Sequence, residues 1–129
     1  NRLHQILAVI EKHLNLPLSR FDCYLAVAGG LEVEEPAADL GIAAAIISSY
    51  KTVELPKGTV LIGEIGLGGQ LRSVGQMQLR IREAERLGFH SAIVPKLSNK
   101  ELPSKSNDQI HIKEASSIRE VFEIVLKLI

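Results

Sequence analysis

Hydrophobic residues near the start of the chain recur every three or four positions, the spacing of one face of a helix. The apolar positions of this face are Leu3, Ile6, Leu7, Ile10 and Leu14. Pro17 follows, and proline cannot continue a helix because it lacks the backbone N–H that helical bonding needs. The pattern therefore predicts a first helix from Leu3 to Leu14 with one buried face.

A strand and a second helix are predicted next. Phe21 to Ala28 reads as a strand, and Gly29-Gly30 marks a turn or bulge. Residues 31–34 alternate apolar and acidic side chains, which indicates a short strand with one face in water. Pro36 suits the first turn of a helix. Residues 37–50 are apolar nearly all round, so this helix should be largely buried.

The middle of the chain predicts two strands and a helix. Thr59 to Ile65 is rich in β-branched residues, and Gln70 to Val74 reads as a second strand. The glycines between them, at 66, 68 and 69, are typical of a turn, where glycine permits positive φ. A helix carrying Met77, Ile81, Ala84 and Leu87 then closes at Gly88.

The last third predicts two more strands and a terminal helix. Ala92 to Val94 is a short strand stopped by Pro95, and a polar stretch follows to Asp108. Ile110 and Ile112 indicate an edge strand. Ser116 or Ser117 is expected to cap the terminal helix. Its apolar positions are Ile118, Val121, Phe122, Val125 and Leu128. The order of elements predicts one mixed α and β domain over residues 1–129.

Composition adds few constraints on partners, because 15 basic residues balance 15 acidic ones in 129. The apolar runs are far shorter than the roughly 20 residues that cross a bilayer, so we expect no membrane partner. A single cysteine, Cys23, excludes an internal disulfide and fits a reducing cytoplasm or an organelle matrix. The chain enters helical periodicity at Asn1 without an initiator methionine, so we expect a fragment of a longer protein.

Charge is distributed unevenly along the chain. An acidic stretch contains Glu32, Glu34, Glu35 and Asp39, whereas the basic cluster contains Arg72, Arg80, Arg82 and Arg86. Arg82 and Arg86 lie one turn apart on the helix face opposite the apolar residues, so they should point outward. They could contact DNA phosphates, meet the acidic stretch of a neighbouring subunit, or form a solvated face. Arg2 and Lys96 are weaker DNA candidates.

Other chemistry is poorly supported by the sequence. The four histidines show no metal-ligand spacing, and no Gly-x-x-x-x-Gly-Lys-Ser/Thr phosphate loop or cysteine pair is present, so no metal or other cofactor is expected in this domain. Ser48, Ser49 and Lys51 could form a relocated catalytic pair, although serines late in a buried helix more often bond to helix carbonyls.

The segment from Gly63 to Gly75 resembles the Gly-Glu-hydrophobic segment of Lon-type protease domains. Glu35-Pro36-Ala37-Ala38-Asp39-Leu40 falls where that family has Gly-Pro-Ser-Ala-Gly-hydrophobic, and Val94-Pro95-Lys96 is similar to its Ile-Pro-Lys. The resemblance implies an α+β fold of the Lon proteolytic type (ribosomal protein S5 domain 2-like), a mixed sheet packed with helices.

The catalytic groups of that family are missing at the matching positions. The nucleophilic serine falls on Ala37 and the activating lysine on Gln78. A methyl group cannot attack a carbonyl and an amide cannot take the proton, so we expect no peptidase activity. Asp39 replaces the following glycine and adds a charge beside the old nucleophile position.

The chain is also similar, over almost its whole length except residues 97–112, to the C-terminal Lon-like domain of the RadA (Sms) family of bacterial DNA repair and recombination proteins. The residues that carry this likeness are Asn1-Arg2-Leu3, Gly29-Gly30-Leu31, Glu35 to Leu40, Gly63 to Leu67 and Leu87-Gly88-Phe89.

The resemblance implies a DNA-dependent branch-migration ATPase, whose absent parts would use ATP, magnesium and zinc. This domain would then be a non-catalytic scaffold that supports a ring, a hexamer in that family. It would bind single- and double-stranded DNA without sequence preference, and its parent would work with RecA-type recombinase machinery. An active protease with a relocated nucleophile and a simple intramolecular interaction module are the alternatives.

Overall fold

The computed structural model describes residues 2–18, 35–98, 101 and 110–128. Helix α1 is Arg2–Leu14, and helix α2 is Asp39–Lys51, which the chain enters through a short 3-10 helix, Pro36–Ala38. Helix α3 is Met77–Arg86. These three helices confirm the predictions for the same parts of the sequence. The strands predicted between residues 21 and 34, and Cys23, lie outside the described residues.

The described strands form two sheets. Strands β1 (Thr59–Leu61), β4 (Ser91–Pro95) and β5 (His111–Ala115) form a parallel sheet in the order β1-β4-β5. Strands β2 (Glu64–Ile65) and β3 (Leu71–Arg72) pair antiparallel. Every residue of the central strand β4 is buried, and β5 lies at an edge of its sheet, as predicted. Together with the helices, this mixed pairing confirms the α+β class.

The single strand predicted from Thr59 to Ile65 is wrong, because the chain leaves one sheet and joins the other at Gly63. The N–H of Ile62 still donates to Ile93 O at 3.0 Å, whereas the N–H of Gly63 donates to Ala37 O at 2.9 Å. A Cβ on Gly63 would lie 3.2 Å from Cγ of Pro95, so a side chain there would press against the Pro95 ring. The break therefore places this backbone against the segment that carries Ala37.

The glycine-rich segment between β2 and β3 is a tight turn, as predicted. The N–H of Gly66 donates to Gln70 O and that of Gly69 to Gly66 O, both at 2.9 Å. Gly69 has φ of 80°, which glycine adopts without strain. Strand β3 is shorter than the predicted Gln70 to Val74, because Gln70 instead bridges to Ser117.

The terminal helix begins as predicted but has a wider turn. Ser117 is the capping residue, since its Oγ accepts the N–H of Glu120 at 3.1 Å. Glu120–Val125 is a π-helix, closed by a bond from Leu126 N to Val121 O at 2.8 Å. Apolar spacing over fewer than two turns cannot distinguish this pitch from that of an α-helix.

Two hydrophobic clusters fill the interior. The larger one joins α1, α2 and the terminal helix around Ile10, Ile47 and Phe122, each 0% exposed. The smaller one lies between the parallel sheet and α3 and contains Ala37. Its buried members are Ala37, Ile62, Met77, Ile81, Ala84, Ala92, Val94 and Ile110. The segment before α2 is therefore part of the core.

Candidate functional site

Residues 35–39, which we call the 35–39 segment, connect the two hydrophobic clusters. Ala37 is 6% exposed and packs in the smaller cluster, whereas Leu40, just beyond the segment, packs in the larger one. Two hydrogen bonds hold the backbone of this segment against Gly63. The N–H of Gly63 donates to Ala37 O at 2.9 Å, and the N–H of Leu40 donates to Gly63 O at 3.1 Å. The backbone at Ala37 therefore has little freedom.

The two positions that the Lon resemblance assigns to catalysis lie on elements that pack together. Gln78 is half-buried in the first turn of α3, directly after Met77, which shares the smaller cluster with Ala37. The side chains at these positions are a methyl group and a neutral amide. Neither supplies the nucleophile or the base that acyl transfer needs.

Glu35 folds back over the start of this segment. Its Oε1 accepts the backbone N–H of Ala37 at 3.1 Å and also lies 3.2 Å from a guanidinium nitrogen of Arg80. Nε of Arg80 donates to Gly75 O at 2.8 Å. Arg80 was predicted to contact DNA or a neighbouring subunit, and Glu35 to contact a neighbour. The structure pairs these two residues within one chain, and their contact with DNA or a neighbouring subunit stays a prediction.

Asp39 at the other end of the segment is a buried carboxylate. It is 1% exposed, and one guanidinium nitrogen of Arg2 lies 3.0 and 2.8 Å from its two oxygens. The backbone N–H of Ile65 donates to it at 3.0 Å. Burial raises the pKa of Asp39 above its ordinary 3.8, although the Ile65 N–H and Arg2 oppose this shift.

These contacts correct the prediction for Asp39 and give Arg2 a partner within its own chain. Asp39 was expected among the acidic contacts with a neighbouring subunit, but its carboxylate is enclosed within its own chain. Arg2 was a DNA candidate, but its guanidinium is committed to Asp39 and lies 4.0 Å from Glu64. The sequence pattern missed the pairing because the partners are 37 positions apart. Glu32 and Glu34 lie outside the described residues.

The basic candidates that remain differ in their surroundings. Arg82 and Arg86 are exposed on α3, as predicted, and Arg86 is bound by Glu83, with 2.9 Å from its Nε to Oε2. Arg72 and Lys96 are also exposed. Within the part of the chain that the structure describes, Arg72, Arg82 and Lys96 form no ion pair. Of the predicted basic candidates, these three are therefore the best placed to meet an external anion.

Two exposed leucines accompany the arginines on or next to α3. Leu79 is 54% exposed and Leu87 is 61% exposed. Leu87 was predicted as an apolar position of the helix, but α3 ends at Arg86 and Leu87 is its C-cap residue. Leu79 was not singled out, although it falls outside the buried spacing of Met77, Ile81 and Ala84. A helix face that combines leucine with arginine is typical of protein contacts.

The described ranges contain no group of three or more His, Cys, Asp or Glu side chains placed to hold a metal ion. No helix within them is both long and apolar enough to cross a membrane.

Comparison with known proteins relates these features to a family. The Lon protease (S16) C-terminal proteolytic domain matches residues 18–128. DNA repair protein RadA of Aquifex aeolicus is 43% identical over 125 residues, covering 97% of this chain and 27% of that protein. RadA of Synechocystis sp. is 56% identical over 96 residues, covering 74% and 19%. RadA of Chlamydia pneumoniae is 36% identical over 126 residues, covering 98% and 28%.

The chain thus spans only 19% to 28% of the length of these three relatives. Both likenesses inferred from sequence motifs, to Lon-type domains and to RadA, are confirmed.

The raised pKa of Asp39 predicts how stability depends on pH. The folded chain holds the proton of this carboxyl more tightly than the unfolded chain does. The stabilisation of the folded state by the protonated carboxyl is therefore complete below about pH 3.8, and it is lost as the pH rises through the pKa of the folded state. We compare the unsubstituted chain with the variant Asp39→Asn. The free energy of unfolding of the unsubstituted chain, minus that of the variant, should increase as the pH falls from neutral toward 4. Urea unfolding at several pH values measures this difference. A difference that shrinks on acidification would contradict the assignment.

Proposed function

Because the chain belongs to the family of the Lon protease (S16) C-terminal proteolytic domain, we propose that it is a non-catalytic member serving a RadA-type DNA repair protein as a scaffold. In this role it supports a ring of subunits, a hexamer, and binds single- and double-stranded DNA without sequence preference. One observation carries the proposal: the position that would hold the nucleophile is the buried methyl group of Ala37. The domain therefore acts through its shape and surface charge.

The loss of catalysis follows from the chemistry of both positions. A serine–lysine pair needs a hydroxyl that attacks and an amine that accepts its proton. Ala37 and Gln78 offer neither group. In serine proteases, removing the nucleophile and the base lowers the rate of peptide hydrolysis by several orders of magnitude. This supports a non-enzymatic role for the domain.

The repair role rests on the relatives, which are named DNA repair protein RadA. Since the chain spans at most 28% of their length in these matches, the activity of the whole protein belongs mostly to other segments. We assign the ATPase motor, with ATP and magnesium, and the zinc motif to those segments. Work alongside RecA-type recombinase machinery in the bacterial cytoplasm fits this role.

The exposed cations support DNA binding through phosphates. Arg72, Arg82 and Lys96 are exposed and are not neutralised by a carboxylate within the described residues. Guanidinium and ammonium groups attract the phosphate backbone of any sequence, so the binding should be sequence-independent. Base stacking is not favoured, because Phe122 is buried and Phe89 and Tyr50 are only partly exposed.

The outer surface of α3 supports subunit contact. Leu79 and Leu87 present apolar surface that a neighbouring copy of the chain can bury. We place the ring contact at these two leucines and assign Arg82 to DNA phosphates.

Two alternatives remain. A relocated serine protease would need a free hydroxyl, but Oγ of Ser48 donates to Val53 O beside the end of α2. This bond favours a structural role for Ser48 and weighs against a Ser48–Lys51 pair. A simple module that docks on another part of its own protein would bind neither DNA nor further copies.

Arg82→Ala should weaken binding to a labelled oligonucleotide and lower the salt dependence of affinity, because about one counterion is released for each phosphate contact. We expect roughly a threefold to tenfold loss at low salt for both single- and double-stranded DNA, measured by fluorescence anisotropy. The matched control is the double variant Glu83→Ala with Arg86→Ala, which removes a neutral pair on the same helix. An unchanged affinity and salt slope in Arg82→Ala would count against this surface.

The unsubstituted chain should not cleave casein or a fluorogenic peptide above the rate of a buffer blank. The measurement compares the unsubstituted chain with the variants Ser48→Ala and Ser49→Ala. Turnover in the unsubstituted chain that one of these substitutions abolishes would establish the relocated protease instead.

A further inference from the structure

The backbone N–H of Ala37 already has an acceptor. In serine proteases, the N–H of the nucleophilic residue is a common donor to the oxyanion that forms during acyl transfer. Here that N–H lies 3.1 Å from Oε1 of Glu35. Even with a hydroxyl at position 37, this donor would be occupied by a carboxylate of the same chain.

The carboxylate of Glu35 is held in place by α3. A guanidinium nitrogen of Arg80 lies 3.2 Å from the same Oε1, and Arg80 is itself fixed by its bond to Gly75 O at 2.8 Å. The pair is partly exposed, with 31% of the Arg80 side chain and 54% of the Glu35 side chain in contact with solvent. Water can therefore compete with this ion pair, but the backbone N–H gives the carboxylate a second attachment.

The residue type at position 35 makes this contact possible. In the Gly-Pro-Ser-Ala-Gly pattern, the position that matches Glu35 is a glycine, which has no side chain to fold back. The glycine at the other end of the pattern matches Asp39. Both changes introduce a carboxylate, and each carboxylate is bound by an arginine from a different helix.

We propose that Glu35 is a second block on peptidase chemistry, separate from the missing serine and lysine. Its carboxylate, positioned by Arg80, occupies the Ala37 N–H and places a negative charge where an oxyanion would develop. Loss of one oxyanion donor lowers kcat roughly a hundredfold to a thousandfold in other serine proteases, so the block is substantial by itself. The inference deepens the proposed non-catalytic role and rests on it.

Amide hydrogen exchange of Ala37, followed by NMR on the whole chain, tests the contact directly. Glu35→Ala should speed this exchange roughly fivefold to tenfold, since it removes one hydrogen bond, and Arg80→Ala should speed it less. Glu83→Ala is the control, because Glu83 pairs with Arg86 on the same helix. An Ala37 exchange rate that is the same in Glu35→Ala as in the parent would overturn the proposal.

A second test restores the dyad with Ala37→Ser and Gln78→Lys, with or without Glu35→Gly, and measures the Kd of a peptide boronic acid. The serine oxygen would bond to boron, the proton would pass to the lysine amine, and the anionic tetrahedral boronate would need the freed N–H. Glu35→Gly should tighten binding at least tenfold. Equal affinity in the two variants, including no binding in either, would overturn the block.

Failure of this inference would leave the proposed function intact. That function would fail separately if the parent chain cleaved peptide substrates or bound no DNA, and neither measurement uses the Glu35 variants.

Discussion

The carboxylate of Asp39 is the contact on which the arrangement of helices depends. An ionised group that is 1% exposed is costly unless several donors surround it, and here the donors come from Arg2 on α1 and from the backbone N–H of Ile65 on β2. One side chain at the start of α2 therefore joins three elements. The raised pKa of Asp39 indicates that these donors do not fully offset the cost of burial. This favours a role in fixing geometry over a role in adding stability.

The same segment links the fold to the functional proposal. Glu35 and Asp39 lie on either side of Ala37, and their arginine partners come from α3 and α1. The backbone between them is bonded to Gly63. A segment that would carry a nucleophile in a Lon-type protease is here a set of ties between helices. In the function that we propose, this segment is structural and the exposed face of α3 is left for partners.

Much of the fold could be predicted from local patterns, because helix and strand periods are properties of neighbouring residues. The helices, the turn at Gly66 to Gly69 and the buried strand β4 follow from them. The break at Gly63 could not be predicted, since it depends on Ala37 and Pro95, which are distant in sequence. For the site, the sequence could identify Ala37 and Gln78, but only by matching a family motif. The pairing of Arg2 with Asp39 and of Arg80 with Glu35 depends on the three-dimensional arrangement, because the partners are far apart in sequence.

The mass of the chain in solution, measured by light scattering coupled to size exclusion over a wide concentration range, tests the scaffold role most directly. We expect a ring of six copies of the 14.1 kDa chain that persists on dilution. Such a result would establish this fold as the element that assembles the protein. A monomer at every concentration would contradict that role.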